Sequence, residues 1–131
     1  MRKEHDFLGE LEIPDNAYYG VQTMRAMENF QITGYTAAPL FIKALGMVKK
    51  AAALANMKIG LLDEKIGEAM VQACDDIISG KLNDQFPTDP IQGGAGTSFN
   101  MNTNEVICNR ALEILGRPRG DYNYISPNNH A

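Results

Sequence analysis

The sequence predicts a mainly α-helical fold preceded by a short extended N-terminal segment. Three observations carry that prediction. Apolar residues recur at steps of three and four through long stretches between Pro39 and Leu115. Helix-closing residues (Gly60, Gly80, Gly116, Pro118) stand where those stretches end. No pair of alternating apolar and polar runs stands out as a strand pair. The 131 residues read as one domain, 1–131, long enough to bury about two-thirds of its unfolded surface.

Residues 1–19 have no helical period, and Pro14-Asp15-Asn16 is turn chemistry, so this part reads as extended with room for one short hairpin. A short helix is expected over Val21 to Phe30, then a loop containing Gly34. Pro39 suits a first helical turn and Gly60 a stop. Between them Phe41, Ala44, Leu45, Val48, Ala51, Ala52 and Ala55 form the stripe expected to be buried. Asp63 is an N-cap for the next helix, whose inward stripe is Ile66, Ala69, Met70, Ala73, Cys74, Ile77 and Ile78, closed by Gly80. Two prolines and three glycines make residues 83–96 irregular. A last helix runs from Ser98 to Leu115, and the remainder is loop.

Composition excludes several function classes. Twelve basic residues against sixteen acidic ones give a net charge of −4, and the basic residues are scattered, so no nucleic-acid surface is expected. No apolar run reaches the ~20 residues of a membrane span. MRKEHDFLGE has no apolar centre and is not a secretory signal. Cys74 and Cys108 sit within apolar helical patterns and read as buried reduced thiols, which points to the cytoplasm. His5 and His130 have no metal-ligand spacing, and no metal site is expected. The polar, turn-forming string SPNNHA reads as a domain cut from a longer protein.

The stretch that bears chemistry is GGAGTSFNMNTNEV, residues 93–106. Glycines let a ligand approach the backbone, and a helix N-terminus offers unpaired N–H groups and partial positive charge. Together they make an anion site that needs no lysine. Gly96, Thr97 and Ser98 are the candidate binding residues, the two hydroxyls being able to meet a carboxylate oxygen. Thr97 or Ser98 can also simply cap the helix, and the two readings are compatible. A P-loop is excluded because no lysine follows Lys81, and a dinucleotide fingerprint because its glycine spacing and preceding strand are missing. Ser98, Asn102, Glu105, Asn109 and Glu113 share one helical stripe. That stripe is either solvated or, since asparagine is a poor helix former, turned by Asn102 and Asn104 toward buried partners.

At these residues the sequence resembles the aspartase/fumarase superfamily. QGGAGTSFNMNTNEV looks like its first signature region. DNAYYGVQTMRAMENF (15–30), MVKKAAALAN (47–56), DQFPTDPIQGGAGTS (84–98) and YNYISPNNHA (122–131) follow in the superfamily's order. Ala95 in GAGTS favours the aspartase side. The resemblance implies the superfamily's N-terminal helical domain. It also implies a lyase that reversibly splits L-aspartate into fumarate and ammonia through an aci-carboxylate; a fumarase is the sibling reading. Without the resemblance, the residues equally allow a stand-alone helical anion-binding module. By the same resemblance Thr97 matches the threonine that contacts substrate carboxylate, with Gly96 and Ser98 beside it. Arg25 matches an arginine of the N-terminal segment, with a surface arginine as the alternative. Asn128 and Asn129 fall on the polar positions of a second, non-catalytic carboxylate site. The family's Ser-Thr-Asn loop, its Thr-x-His segment and the mobile loop carrying the base serine are not among these residues. This chain is therefore expected to hold no catalytic residue and to be inactive alone. The family implies a homotetramer and no cofactor; divalent-metal activation is not written in these residues.

Overall fold

The computed structural model describes all 131 residues. Strands β1 (Arg2–Asp6) and β2 (Gly9–Ile13) pair antiparallel with Arg2 opposite Ile13 and Asp6 opposite Gly9. Four helices follow: α1 (Val21–Asn29), α2 (Pro39–Lys58), α3 (Glu64–Ile78) and α4 (Thr97–Ile114), with one 3₁₀ turn at Asn83–Gln85 inside the expected irregular stretch. The chain is mainly helical, as its periodicity predicts. No helix is long and apolar enough to cross a membrane.

Helix α4 is the axis of the fold. Asn102 through Asn109 are all buried, because α3 packs on one side while α1, the segment before it and the 120s loop cover the other. The core between α2, α3 and α4 is made by Ile42, Ala53, Ile66, Met70, Ala73, Ile77, Val106, Ile107, Ala111 and Leu112, with Phe86 and Ile125 supplied by loops. Asp63 caps α3 by accepting from the Ile66 amide at 3.0 Å. Helices α2 and α4 close with the paired carbonyl bonds of a Schellman motif, Leu61 N to Asn56 O and Arg117 N to Leu112 O. Both cysteines are free and buried, and burial pushes the Cys74 thiol up to about 12.

The hairpin is the element that periodicity conceals. Its strands do alternate, but the inward residues of β1 are Arg2, Glu4 and Asp6, and all three are polar. Each is spent on the neighbouring backbone or on α1. Arg2 donates to the carbonyls of Pro14, Asp15, Ala17 and Tyr19 and to Glu4. Glu4, only 4% exposed, accepts from the Val21 amide at 3.0 Å. An amphipathic strand is normally recognised by its apolar face, and in β1 that face is ionic, while β2 sets Leu11 and the fully buried Ile13 opposite it.

The expected burial of the Phe41, Ala44, Leu45, Val48, Ala51, Ala52, Ala55 stripe is corrected by the structure. Phe41 and Val48 are 44% and 65% exposed, the four alanines are exposed, and only Leu45 is half-covered. Helix α2 instead buries Ile42, Gly46 and Ala53. It is apolar on both sides, so period alone does not choose a face. Gly46 chooses: a Cβ there would lie 2.9 Å from Ile77 Cγ2, so its bare backbone is what lets α2 and α3 approach.

The α4 stripe is likewise not solvated over Asn102, Glu105 and Asn109, all at most 1% exposed. Asn109 Nδ2 donates to Tyr18 O at 2.6 Å and to the Tyr122 hydroxyl at 3.0 Å, and its Oδ1 accepts from Gly120 N at 2.8 Å. One side chain thus joins α4 to the segment before α1 and to the 120s loop. Asn109→Ala should cost about 2 kcal/mol, because the half-buried Tyr18 carbonyl and Gly120 amide lose their partner and a fully buried side chain is removed. Urea denaturation checks this, and an unchanged midpoint would mean that water replaces the amide. At the stripe's end Glu113 gathers Tyr18, Arg110 and Arg119 into a half-exposed ionic network.

Candidate functional site

The glycine-rich corner is built from its ends. Gly93 to Ala95 are exposed, and the turn's one backbone bond runs from Gly96 N to Gly93 O at 3.1 Å. Gly96 is the N-cap of α4 with φ of 80°, a left-handed conformation that side chains with a Cβ adopt at a cost. Thr97 and Ser98 are therefore the first two residues of the helix. Neither caps it, because no side-chain cap bond forms. Capping, the bland alternative for these two hydroxyls, is thereby removed.

The donors left at the corner can be counted. The Asn100 amide bonds Gly96 O, and the Phe99 amide is taken by Gln92 Oε1 at 2.9 Å. The amides and hydroxyls of exposed Thr97 and half-buried Ser98 make no hydrogen bond within the chain. Four donors on consecutive residues thus face outward at the positive end of an 18-residue helix. Such a set can hold a carboxylate and stabilise extra charge on it. It contains no proton-abstracting group.

Behind the corner, Asp89 is only 5% exposed, yet burial, which would raise its carboxyl, is overcome by bonds from the amides of Ile91, Thr33 and Gly34 and from the Thr33 hydroxyl. These hold it at about 2, ionised throughout the working range. The roles of Asp89 and Gln92 escape sequence reading: both lie in a stretch legible only as irregular, and Asp89's donors come from residues 32–34. The one local signal is the Asx turn from Asp89 Oδ1 to Ile91 N at 2.9 Å.

The other candidates are dispersed. Asn102 lies on the corner's own helix but is fully buried, its Nδ2 donating to Gln85 O at 2.9 Å and its Oδ1 left without a partner. Arg25 holds Asp6 in a two-pronged ion pair at 2.8 and 2.7 Å and also reaches Gly9 O, so it clamps the hairpin to α1. Asn128 and Asn129 are exposed, and their amides bond Ser126 Oγ. Their loop is fastened to α4 where Asn104 Nδ2 meets Pro127 O at 3.0 Å, about 10 Å along the helix axis from Thr97 at 1.5 Å per residue. His130 Nδ1 accepts from Ser126 N, which uses it structurally. A 540 Å³ cleft lies elsewhere, between α2 and α3, lined by Leu54, Met57, Lys58, Glu64, Glu68 and Val71. Its lining brings no cluster of convergent donors, and the chemistry argues for the open corner instead.

Residues 9–131 match the family model described as Lyase. An aspartate ammonia-lyase of Bacillus sp. is 65% identical over 130 residues, 99% of this chain and 28% of that protein. A class II fumarate hydratase of Halobacterium salinarum is 53% identical over 129 residues, 98% of this chain and 27% of that protein. The native crystal structure of fumarate lyase:delta crystallin from Brucella melitensis superposes with a TM-score of 0.95 at 58% identity, covering 98% of this chain and 29% of that one. The chain thus spans little more than a quarter of the length of these relatives.

Proposed function

Since the chain belongs to the lyase family, we propose that it is the N-terminal domain of an aspartate ammonia-lyase, which converts L-aspartate reversibly into fumarate and ammonia. The observation that carries this reading is the unspent donor set of Thr97 and Ser98 at the α4 N-terminus. Removing the proton beside the substrate's β-carboxylate makes that carboxylate a dianion. Uncharged donors fixed where its oxygens gain charge lower the barrier without having to reorganise. Gly96 allows the close approach, and the Thr97 hydroxyl and the amides supply the bonds. The base and the remaining substrate contacts belong to segments outside these residues, so this chain alone is inactive.

The exposed apolar face of α2 supports placement within a larger assembly, for which the family resemblance favours a homotetramer. It counts against a stand-alone module. We place the enzyme in the cytoplasm, on the two buried reduced thiols. The 53% identity to a fumarate hydratase supports a second reading, in which water rather than ammonia is eliminated to give fumarate.

The test is ammonia release from L-aspartate by the full-length protein, with Thr97→Ala beside it. Release by the parent and a loss of about 100-fold in kcat/KM in the variant are expected, the size of one lost transition-state donor. Parental activity in the variant would remove Thr97 from the mechanism, and an inert parent would move the assignment to the hydratase.

A further inference from the structure

We propose that Gln92 and Asp89 are positioning residues that preset the donors of the Thr97 corner, an inference that rests on reading this corner as the carboxylate site. The argument starts from what does not hold the loop. A Cβ built on Gly93, Gly94 or Gly96 would meet no atom within 4 Å, so no neighbour packs against the side-chain face of these glycines. The turn's geometry must be imposed from its two ends. One end is α4. The other is Gln92, whose Oε1 accepts from the Phe99 amide at 2.9 Å while its Nε2 donates to Asp89 O at 2.7 Å. A single side chain therefore closes a ring from residue 92 to residue 99 around the glycines.

The ring is in turn anchored. The Asp89 carboxylate accepts from Ile32 N at 3.2 Å, Thr33 N at 2.6 Å, Gly34 N at 3.0 Å, the Thr33 hydroxyl at 3.0 Å and Ile91 N at 2.9 Å. The corner is thus referenced to the 32–34 turn, far away in sequence, instead of to its own flexible backbone. Gln92 also decides which donors are available. By consuming the third amide of α4 it leaves those of Thr97 and Ser98, with their hydroxyls, as the only free set. Neither residue needs to touch the substrate; both act through the placement of Thr97 and Ser98.

A double-mutant cycle in the full-length protein separates positioning from mere support. Gln92→Met keeps the bulk of the side chain but can neither accept nor donate as the amide does. With the substrate that the parent turns over, it should lower kcat/KM roughly tenfold, chiefly through kcat, since misplaced donors lose transition-state contacts first. In the Thr97→Ala background the same change should cost distinctly less than in the parent, because one of the four donors it positions is gone while the two amides and the Ser98 hydroxyl remain. Asp89→Asn should show the same non-additivity, and it carries the test if Gln92→Met fails to fold. Additive effects, or parental kcat/KM in both variants, would overturn the positioning role while leaving the corner itself intact. Parental activity of Thr97→Ala alone would instead remove the corner reading, and the inference with it.

Discussion

Gly20→Ala is expected to destabilise this chain by about 3 kcal/mol, the upper range for forcing a methyl group into a filled interior. The reason is space, not backbone freedom, because φ at Gly20 is −131°, open to any residue. A Cβ there would fall 2.5 Å from Glu4 Oε1 and 2.7 Å from Glu105 Oε2, and closer still to the Tyr122 hydroxyl. Those oxygens cannot step back cheaply. Glu4 is held by Arg2 at 2.7 Å and by the Val21 amide, Glu105 by α1, and the Tyr122 hydroxyl by Asn109. Urea denaturation of the parent and the variant reads the effect. A loss below about 1 kcal/mol would mean that the segment before α1 swings aside, and that this oxygen cluster is looser than its burial suggests.

The second large effect is a pH dependence centred on Glu105. This carboxyl is 1% exposed and accepts from the amides of Gly20, Gln22 and Thr23 and from the Thr23 hydroxyl, so a side chain of α4 caps α1. Burial raises its pKa and Glu4 adds to the rise. The four donors oppose them and do not win, leaving it at about 7 against an ordinary 4.5. A raised folded-state pKa means that the folded chain holds a proton the unfolded chain releases. The contribution is therefore complete below 4.5 and is lost as pH rises through 7. At 1.36 kcal/mol per unit the loss approaches about 3 kcal/mol, an upper bound. Glu105→Gln carries no titrating group, so its stability relative to the parent should improve by up to that amount between pH 4.5 and 8. A difference that stays flat with pH would show that the four donors keep Glu105 ionised. Asp89, held down at about 2, has the opposite sign and acts below pH 4, outside this window.

Much of the frame was legible. Pro39, Asp63, Gly80 and Gly116 bound α2 to α4 within a residue or two, because capping is local chemistry. The inward stripe of α3 was legible because its opposite face is polar. On α2 the same rule chose the side that this chain leaves uncovered, since both sides are apolar and the deciding contact within the chain belongs to α3. The hairpin was legible only as room for one, because β1 brings Arg2, Glu4 and Asp6 to the inner face and only β2 brings apolar residues there, Leu11 and Ile13. At the corner the residues themselves were readable and their state was not. Whether Thr97 and Ser98 cap the helix depends on Gly96 taking the N-cap position and on Gln92 taking the Phe99 amide.

The sequence by itself determined the helical elements, their ends and the donor-rich corner, because periodicity, caps and glycine freedom act over a few residues. Only the tertiary structure decided which side of α2 is covered, that Glu4 and Glu105 are buried to cap α1, and that the donors of Thr97 and Ser98 stay unspent. The first two are choices between partners distant along the chain, and the third rests on the Gln92 bond to the Phe99 amide, which forms only once the loop is anchored through Asp89 to residues 32–34. Hydrogen bonding and burial settle such choices only once the elements have packed.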